Sequence, residues 1–299
     1  MGTLRVAVLM AVGVLAVSTS GPLMAAMVVP PLAIAFWRNG LATLALAPSS
    51  LTRHRRELAA LGRRQLALIG LSGLALAVHF ATWVTSLTLT SVASATALVC
   101  LQIGWVVAWQ LVRGERFGAG AVAGLLVSFA GVLVVSGVDL TVSRSALLGD
   151  LLALVGGVAA AAYIVLGSRA RQTASTTAYT FVCYGSCSLL LLAACLAGRQ
   201  PLWGYDPRQW ALLVLVTATA QLMGHSVFNH LLAVSSPMVV SLALLLEVPG
   251  AALLAAWFLG QRPPAAALVG LLVILLGMVL VIVSNRSRQA EQPLQAPVD

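Results

Sequence analysis

The sequence predicts an all-α integral membrane protein with ten transmembrane helices in two inverted five-helix repeats. Three observations carry that expectation. The 299 residues are 60% hydrophobic and 8% charged, with a mean hydropathy of +1.00. A soluble domain carries about a quarter charged residues, so this chain could not solvate a globular surface. The apolar residues fall in runs of about twenty, the length that crosses a bilayer core. The second half also echoes the first at a constant shift of 146 residues.

The runs lie near 5–24, 30–48, 66–87, 90–112, 118–137, 148–168, 175–197, 209–232, 236–258 and 264–284. The first, in "MGTLRVAVLMAVGVLAVSTS", has a signal-peptide look but reads as a retained span, because many similar spans follow. Charge or turn residues punctuate the runs: "VVPP", "SSLTRHRR", "RGER", "GVDLTVSR", "SRARQT", "GRQPLWGYDPRQ", "SSP" and "GQRPP". Asp139, Asp150 and Asp206 are read as lying outside the membrane, in solvent. Residues 285–299, polar and rich in Gln and Pro, read as a disordered tail.

All 17 basic residues are arginine. They cluster between runs, so the net charge of +9 reflects membrane topology, and anionic lipid headgroups rather than nucleic acid are the expected partner. With the N-terminus in the cytoplasm, twelve arginines fall inside and four (Arg144, Arg199, Arg208 and Arg262) outside, which places both termini in the cytoplasm of a cell inner membrane. Cys100, Cys183, Cys187 and Cys195 form no C-x-x-C pair and read as small packing residues.

The shift of 146 places Gly104, Gly114, Gly124 and Gly131 on Gly250, Gly260, Gly270 and Gly277. It also places Arg116 on Arg262 and His79 on His225, two of only four histidines. Five spans per half is odd, so the second half must enter the membrane inverted, a plan of many secondary transporters. The domains are then 1–137, 138–284 and the tail 285–299. The seven-residue glycine spacing in spans five and ten points to their close packing.

Three stretches carry a resemblance: "PLAIAFWRNGLATLALAP", "SLTLTSVASATALVCLQIGWVVAWQLVRGER" (Ser86 to Arg116) and "GHSVFNHLLAVSSPMVVSLALLLEVPGAALLAAWFLGQRP" (Gly224 to Pro263). The chain resembles the EamA-like branch of the drug/metabolite transporter superfamily. Ile103 stands near the family's usual fourth-span proline, Pro249 lies one step past its "EP", and Gln261 replaces a common glutamate. The resemblance implies a central cavity between the halves and transport of a small metabolite or drug.

Ionisable groups at membrane depth cost roughly 2.5–3.5 kcal/mol at a helix centre, so each requires a partner or a task. Arg38 could bind a substrate carboxylate or hold the bundle through an ion pair. Glu247 sits mid-span; burial penalises its charged form, which suits it to proton coupling or to a fixed structural bond. His79 and Trp83 are four apart, as are their mates His225 and Asn229, so each pair shares a helix face. The inverted repeat brings both faces toward one axis, where substrate or simple core packing could occupy them. Gln102 is a further cavity donor, with Gln221, Trp105, Tyr163 and Tyr184 as weaker candidates. The expected substrate-binding set is thus Arg38, His79, Trp83, Gln102, His225 and Asn229, with Glu247 for protons.

No cofactor is expected, and without lysine no Walker motif can exist, which excludes direct ATP use by this chain. An intramembrane enzyme is the alternative, but H-E-x-x-H and G-x-S-x-G are absent. A membrane scaffold or sensor is the third reading. Substrate, direction, coupling ion and oligomeric state are not encoded legibly.

Overall fold

A computed structural model describes residues 3–114, 118–235 and 237–291. Among these residues there are helices and no strands. The helices are α1 (Thr3–Ser18), α2 (Ser20–Ala25), α3 (Pro31–Thr52), α4 (Arg55–Ala60), α5 (Arg63–Ser86), α6 (Val92–Cys100), α7 (Gln102–Val112) and α8 (Ala119–Val142). They continue as α9 (Arg144–Ala170), α10 (Thr176–Ala197) and α11 (Pro207–Val216). A π-helical segment (Thr217–His225) then leads into α12 (Ser226–Leu231), α13 (Pro237–Leu244), α14 (Glu247–Leu259) and α15 (Ala265–Glu291). Six helical stretches among the described residues are long and apolar enough to cross a membrane, and shorter apolar helices accompany them.

Local chemistry sets the ends. Ser91, Ser143 and Ser175 accept from the backbone N–H groups of Ser94, Ala146 and Ala178, capping α6, α9 and α10. Asp206 caps α11 ahead of Pro207. Gly260, in the left-handed region at φ 63°, ends α14, where a side chain would be strained. Gln261 then reaches across to accept from the Val92 N–H at 3.1 Å, an unbonded donor in the first turn of α6.

Two breaks fall within one residue of repeat-equivalent positions. Between α6 and α7, the Leu101 N–H turns to Leu98 O in a tighter three-residue turn. Between α13 and α14, the Leu246 N–H does the same with Ala243 O. No proline is needed at Ile103 for the first. In the second, Pro249 occupies the first turn of α14, where its missing N–H has no helical partner to lose.

The packing is inside-out relative to a soluble protein. On α3 the buried positions include Ala33, Ala35, Asn39, Ala42 and Ser50, whereas Leu44 and Leu51 point outward. Small or polar residues at helix contacts and large apolar ones toward lipid are the arrangement expected in a bilayer. Helix α5 packs on α9, and α10 packs on α3 and α5. Helices α8 and α15 form the most extensive pair. There, a Cβ on Gly131 would meet Ile274 N at 2.7 Å and Gly270 O at 2.8 Å. A Cβ on Gly277 would meet Ser128 N and Gly124 O, each at 2.5 Å. The two sets of contacts interchange under the shift of 146.

At one end of the bundle, Trp37 packs against Trp203 and Trp210 (centroids 4.6 and 5.0 Å) and donates to Leu202 O at 2.8 Å. At the other end Glu57, in α4, takes hydrogen bonds from the Ser175 N–H (2.6 Å) and hydroxyl (2.7 Å), clamping the start of α10. Burial alone would raise the Glu57 pKa. The two Ser175 bonds and the neighbouring His54 more than offset it and hold the carboxyl below its usual value. The folded state therefore binds this proton less readily, so the stabilisation is complete above about pH 4.5 and is lost as pH falls below it. Glu57→Gln is expected to lower stability by about 1 kcal/mol at neutral pH, the scale of a lost cap. In thermal melts the gap between wild type and variant should close on acidification; a pH-independent gap would contradict the clamp.

Three expectations differ from what is observed. Asp150 is not in solvent but fully buried. Hydropathy starts the sixth run at residue 148, whereas the Ser143 cap starts α9 at Arg144, placing Asp150 in its second turn, next to Gly149, where a Cβ would meet Leu89 and Thr90 at 3.0 Å. The break at "GVDLTVSR" is narrower than expected, since α8 runs through Asp139 to Val142; the Asp139 side chain lies outside what is described. Helix α15 continues past Ser284 to Glu291, a stretch with Arg, Gln, Ala and Glu and no Gly or Pro. The remainder of the tail (292–299) and Arg116, with its proposed match to Arg262, lie outside the described residues.

Candidate functional site

The centre of the bundle is assembled from α5, α6, α7, α9, the π segment, α12, α13 and α14. His79 on α5 sets the geometry. Its Nδ1 bonds Gly156 O at 3.0 Å, which fixes a proton on Nδ1 and leaves Nε2 as an acceptor when the ring is neutral. The glycine pair on α9 permits this contact. A Cβ on Gly156 would press on Thr82 and Trp83 at 3.1 and 3.3 Å, and one on Gly157 on Val99 O at 3.0 Å. Trp83, one turn along α5, stacks on the imidazole with centroids 5.5 Å apart and planes at 17°.

From the second half, His225 faces the same centre. Its ring lies 6.5 Å from His79, 5.5 Å from Phe80 in an edge contact, and 6.3 Å from Tyr163. Asn229 is held on both sides, accepting from the Tyr163 hydroxyl at 2.7 Å and donating to the Tyr184 oxygen at 3.2 Å. Arg171 Nε donates to Asn229 O at 2.9 Å, and its guanidinium also holds Ala174 O and the Thr176 hydroxyl (2.7 Å). Burial lowers the Arg171 pKa, against the opposing influence of Tyr179 and Glu57.

These side chains enclose a cavity of about 40 Å³. His79, Trp83, Gln102, His225, Asn229 and Glu247 all line it. Six of the seven residues singled out in the sequence are thus brought together. Val99, Ile164, Phe228, Val240 and Leu244 supply an apolar wall. A void this size holds a few water molecules, far less than the roughly 300 Å³ at the low end for drug-sized ligands.

Arg38 is not among the lining residues. It is fully buried behind Phe80, its guanidinium 4.1 Å from that ring's centre. Its Nε donates to Gln221 Oε1 at 2.5 Å and its Nη1 to the Ser20 hydroxyl at 2.8 Å. Gln221 in turn donates to Asn39 Oδ1 at 3.1 Å. A buried cation is tolerable only when its donors are occupied, and Nη2 alone has no partner among the described residues. Arg38 therefore belongs to the wall that positions Phe80.

Sequence reasoning passed over Phe80, Phe228 and Cys100, which in this composition look like any other apolar residue. It also passed over the Gly156 carbonyl, whose only trace is the "GG" pair. Among the described residues no three His, Cys, Asp or Glu side chains come together as a metal-ligand set.

The EamA-like transporter family matches residues 4–137 and 147–283. The chain belongs to that family. Among curated proteins, this EamA-like chain is 27% identical over 220 residues to an uncharacterized transporter of Archaeoglobus fulgidus, covering 72% of this chain and 74% of the relative. A solved crystal structure, 17% identical, superposes over 97% of this chain and 100% of its own with a TM-score of 0.69. At that identity it shows the fold alone. The EamA-like protein is therefore a multi-pass membrane transporter, with a small-molecule substrate implied by its family.

Proposed function

We propose that this protein is a secondary transporter that exports a small amphipathic metabolite, amino acid or drug across the cytoplasmic membrane by alternating access. The observation that carries the reading is the cavity itself: polar groups from both halves converge on a space too small for cargo. The Glu57–Ser175 clamp with Arg171 lies toward one end of the bundle and the tryptophan cluster toward the other, and in this reading they act as the two gates. Binding then requires the halves to part, at one end or the other.

In this reading α1–α2, α3, α5, α6–α7 and α8 are the five spans of residues 1–137, and α9 to α15 supply the five of 138–284. Both termini are cytoplasmic. Three features support an inverted repeat: two matched stretches of similar length, breaks within one residue of equivalent sites in the fourth and ninth spans, and the interchangeable glycine contacts of α8 and α15. His79, Trp83, Gln102, His225 and Asn229 contact cargo, Arg38 biases the cavity toward anionic groups, and Glu247 carries the coupling proton.

Thermal-shift screening of the purified protein against amino acids, nucleobases and cationic drugs identifies a ligand, and flux into proteoliposomes tests it. His79→Asn keeps an amide donor for Gly156 while removing the imidazole ring that stacks on Trp83. It is expected to cut flux at least about tenfold, or ~1.4 kcal/mol, with a near-normal melting temperature. Undiminished flux would remove the cavity as the cargo site.

A further inference from the structure

A second recess lies on the outer side of the wall that bounds the central cavity. Helices α7 and α9 form this wall. Gln102, Tyr163 and Ile164 face inward, whereas Trp105, Trp109, Ala162 and Val165 face the other way. Between the outward faces runs an apolar groove of about 460 Å³. It continues into a polar pocket of about 190 Å³ that shares Trp109, Val165 and Arg169 with it.

The two ends differ in chemistry. Along its length the groove is lined by tryptophan, alanine, valine and leucine, with Trp105, Trp109 and Val158 exposed. At its end stand Arg113, at the C-cap of α7, and Arg169, in the last turn of α9. No acidic residue lines either part. Gln110 also lines the polar end, and its buried Oε1 has no partner among the described residues.

Length matches one lipid leaflet. From Val158 to Arg169 is eleven residues of α9, roughly 16 Å, about half of the ~30 Å hydrocarbon core. We propose that this groove binds an anionic glycerophospholipid, one acyl chain along Trp105, Trp109 and Ala162 and the phosphate between Arg113 and Arg169. Paired cations at the end of an apolar trough one leaflet long match that amphiphile and no soluble anion. A lipid seated there presses on the outer side of the same two helices whose inner side bounds the cavity.

The test uses the full-length protein in nanodiscs of mixed phosphatidylglycerol and phosphatidylcholine, with bound lipid read by native mass spectrometry after release. Phosphatidylglycerol should be retained over phosphatidylcholine. Retention should fall roughly 30-fold in R113Q/R169Q, and fall as well in A162W, which fills the trough from an exposed position. Glycerol phosphate should not compete. The proposal is overturned by equal retention of the two lipids or by competition from glycerol phosphate. It is also overturned if A162W retains the wild-type amount of lipid, which would move the site off the groove. None of these readouts depends on transport, so they stand whether or not the cargo site is as proposed.

Discussion

Gly277→Leu is expected to prevent assembly of the bundle. The added Cβ alone would lie 2.5 Å from Ser128 N and from Gly124 O, and backbone atoms cannot rotate away as a side chain can. Overpacking in a core costs about 1–3 kcal/mol when neighbours adjust; here α8 and α15 must separate, and the Ser128 hydroxyl bond to Ile274 O (3.2 Å) goes with them. Size-exclusion chromatography should show aggregate in place of a monodisperse peak. Val279→Leu, two residues along α15 at a position 48% exposed, should behave as wild type. A Gly277→Leu protein that melts within about a degree of wild type would mean the helices are not in backbone contact.

Glu247→Gln is expected to abolish proton-driven transport while sparing exchange. Glu247 is the first residue of α14, 8% exposed, where a helix start favours negative charge and burial opposes it. In the proposed mechanism the group alternates between its two protonation states, whereas the amide is isosteric and locked neutral. Uptake driven by a pH gradient should drop to background. Exchange of labelled for unlabelled cargo at equal pH should persist, because it moves no net proton. Equal loss of both activities would assign Glu247 to cargo contact rather than coupling. Full gradient-driven uptake would leave it a structural residue.

Much of this arrangement was legible in the sequence. Among the described residues the apolar runs fall largely on helix, and residues chosen for being polar in apolar surroundings proved to be neighbours: His79, Trp83 and Gln102 from one half, His225, Asn229 and Glu247 from the other. The reason is energetic, since a polar side chain at membrane depth has few places to go. Other features left no such mark. Asp150 looked like a loop residue because hydropathy averages over a window, while a helix begins at its cap. The break at Leu101 arises from a tightened turn with no proline, and the π segment from a five-residue bonding pattern, neither of which has a residue signature. Arg38 stood out as a candidate ligand by charge, yet sequence could not show that it would pack behind Phe80 and not line the cavity.

The aromatic cluster at the end remote from Glu57 has a practical consequence. Trp37, Trp203, Trp210 and Tyr205 come from two separate stretches of chain and lie with neighbouring ring centres 4.6–5.9 Å apart. Indoles at that spacing exchange excitation and quench one another, and the Trp37 N–H is fixed on a loop carbonyl. The molecule thus carries an intrinsic optical gauge at this end: movement there changes the emission of the cluster without any attached dye.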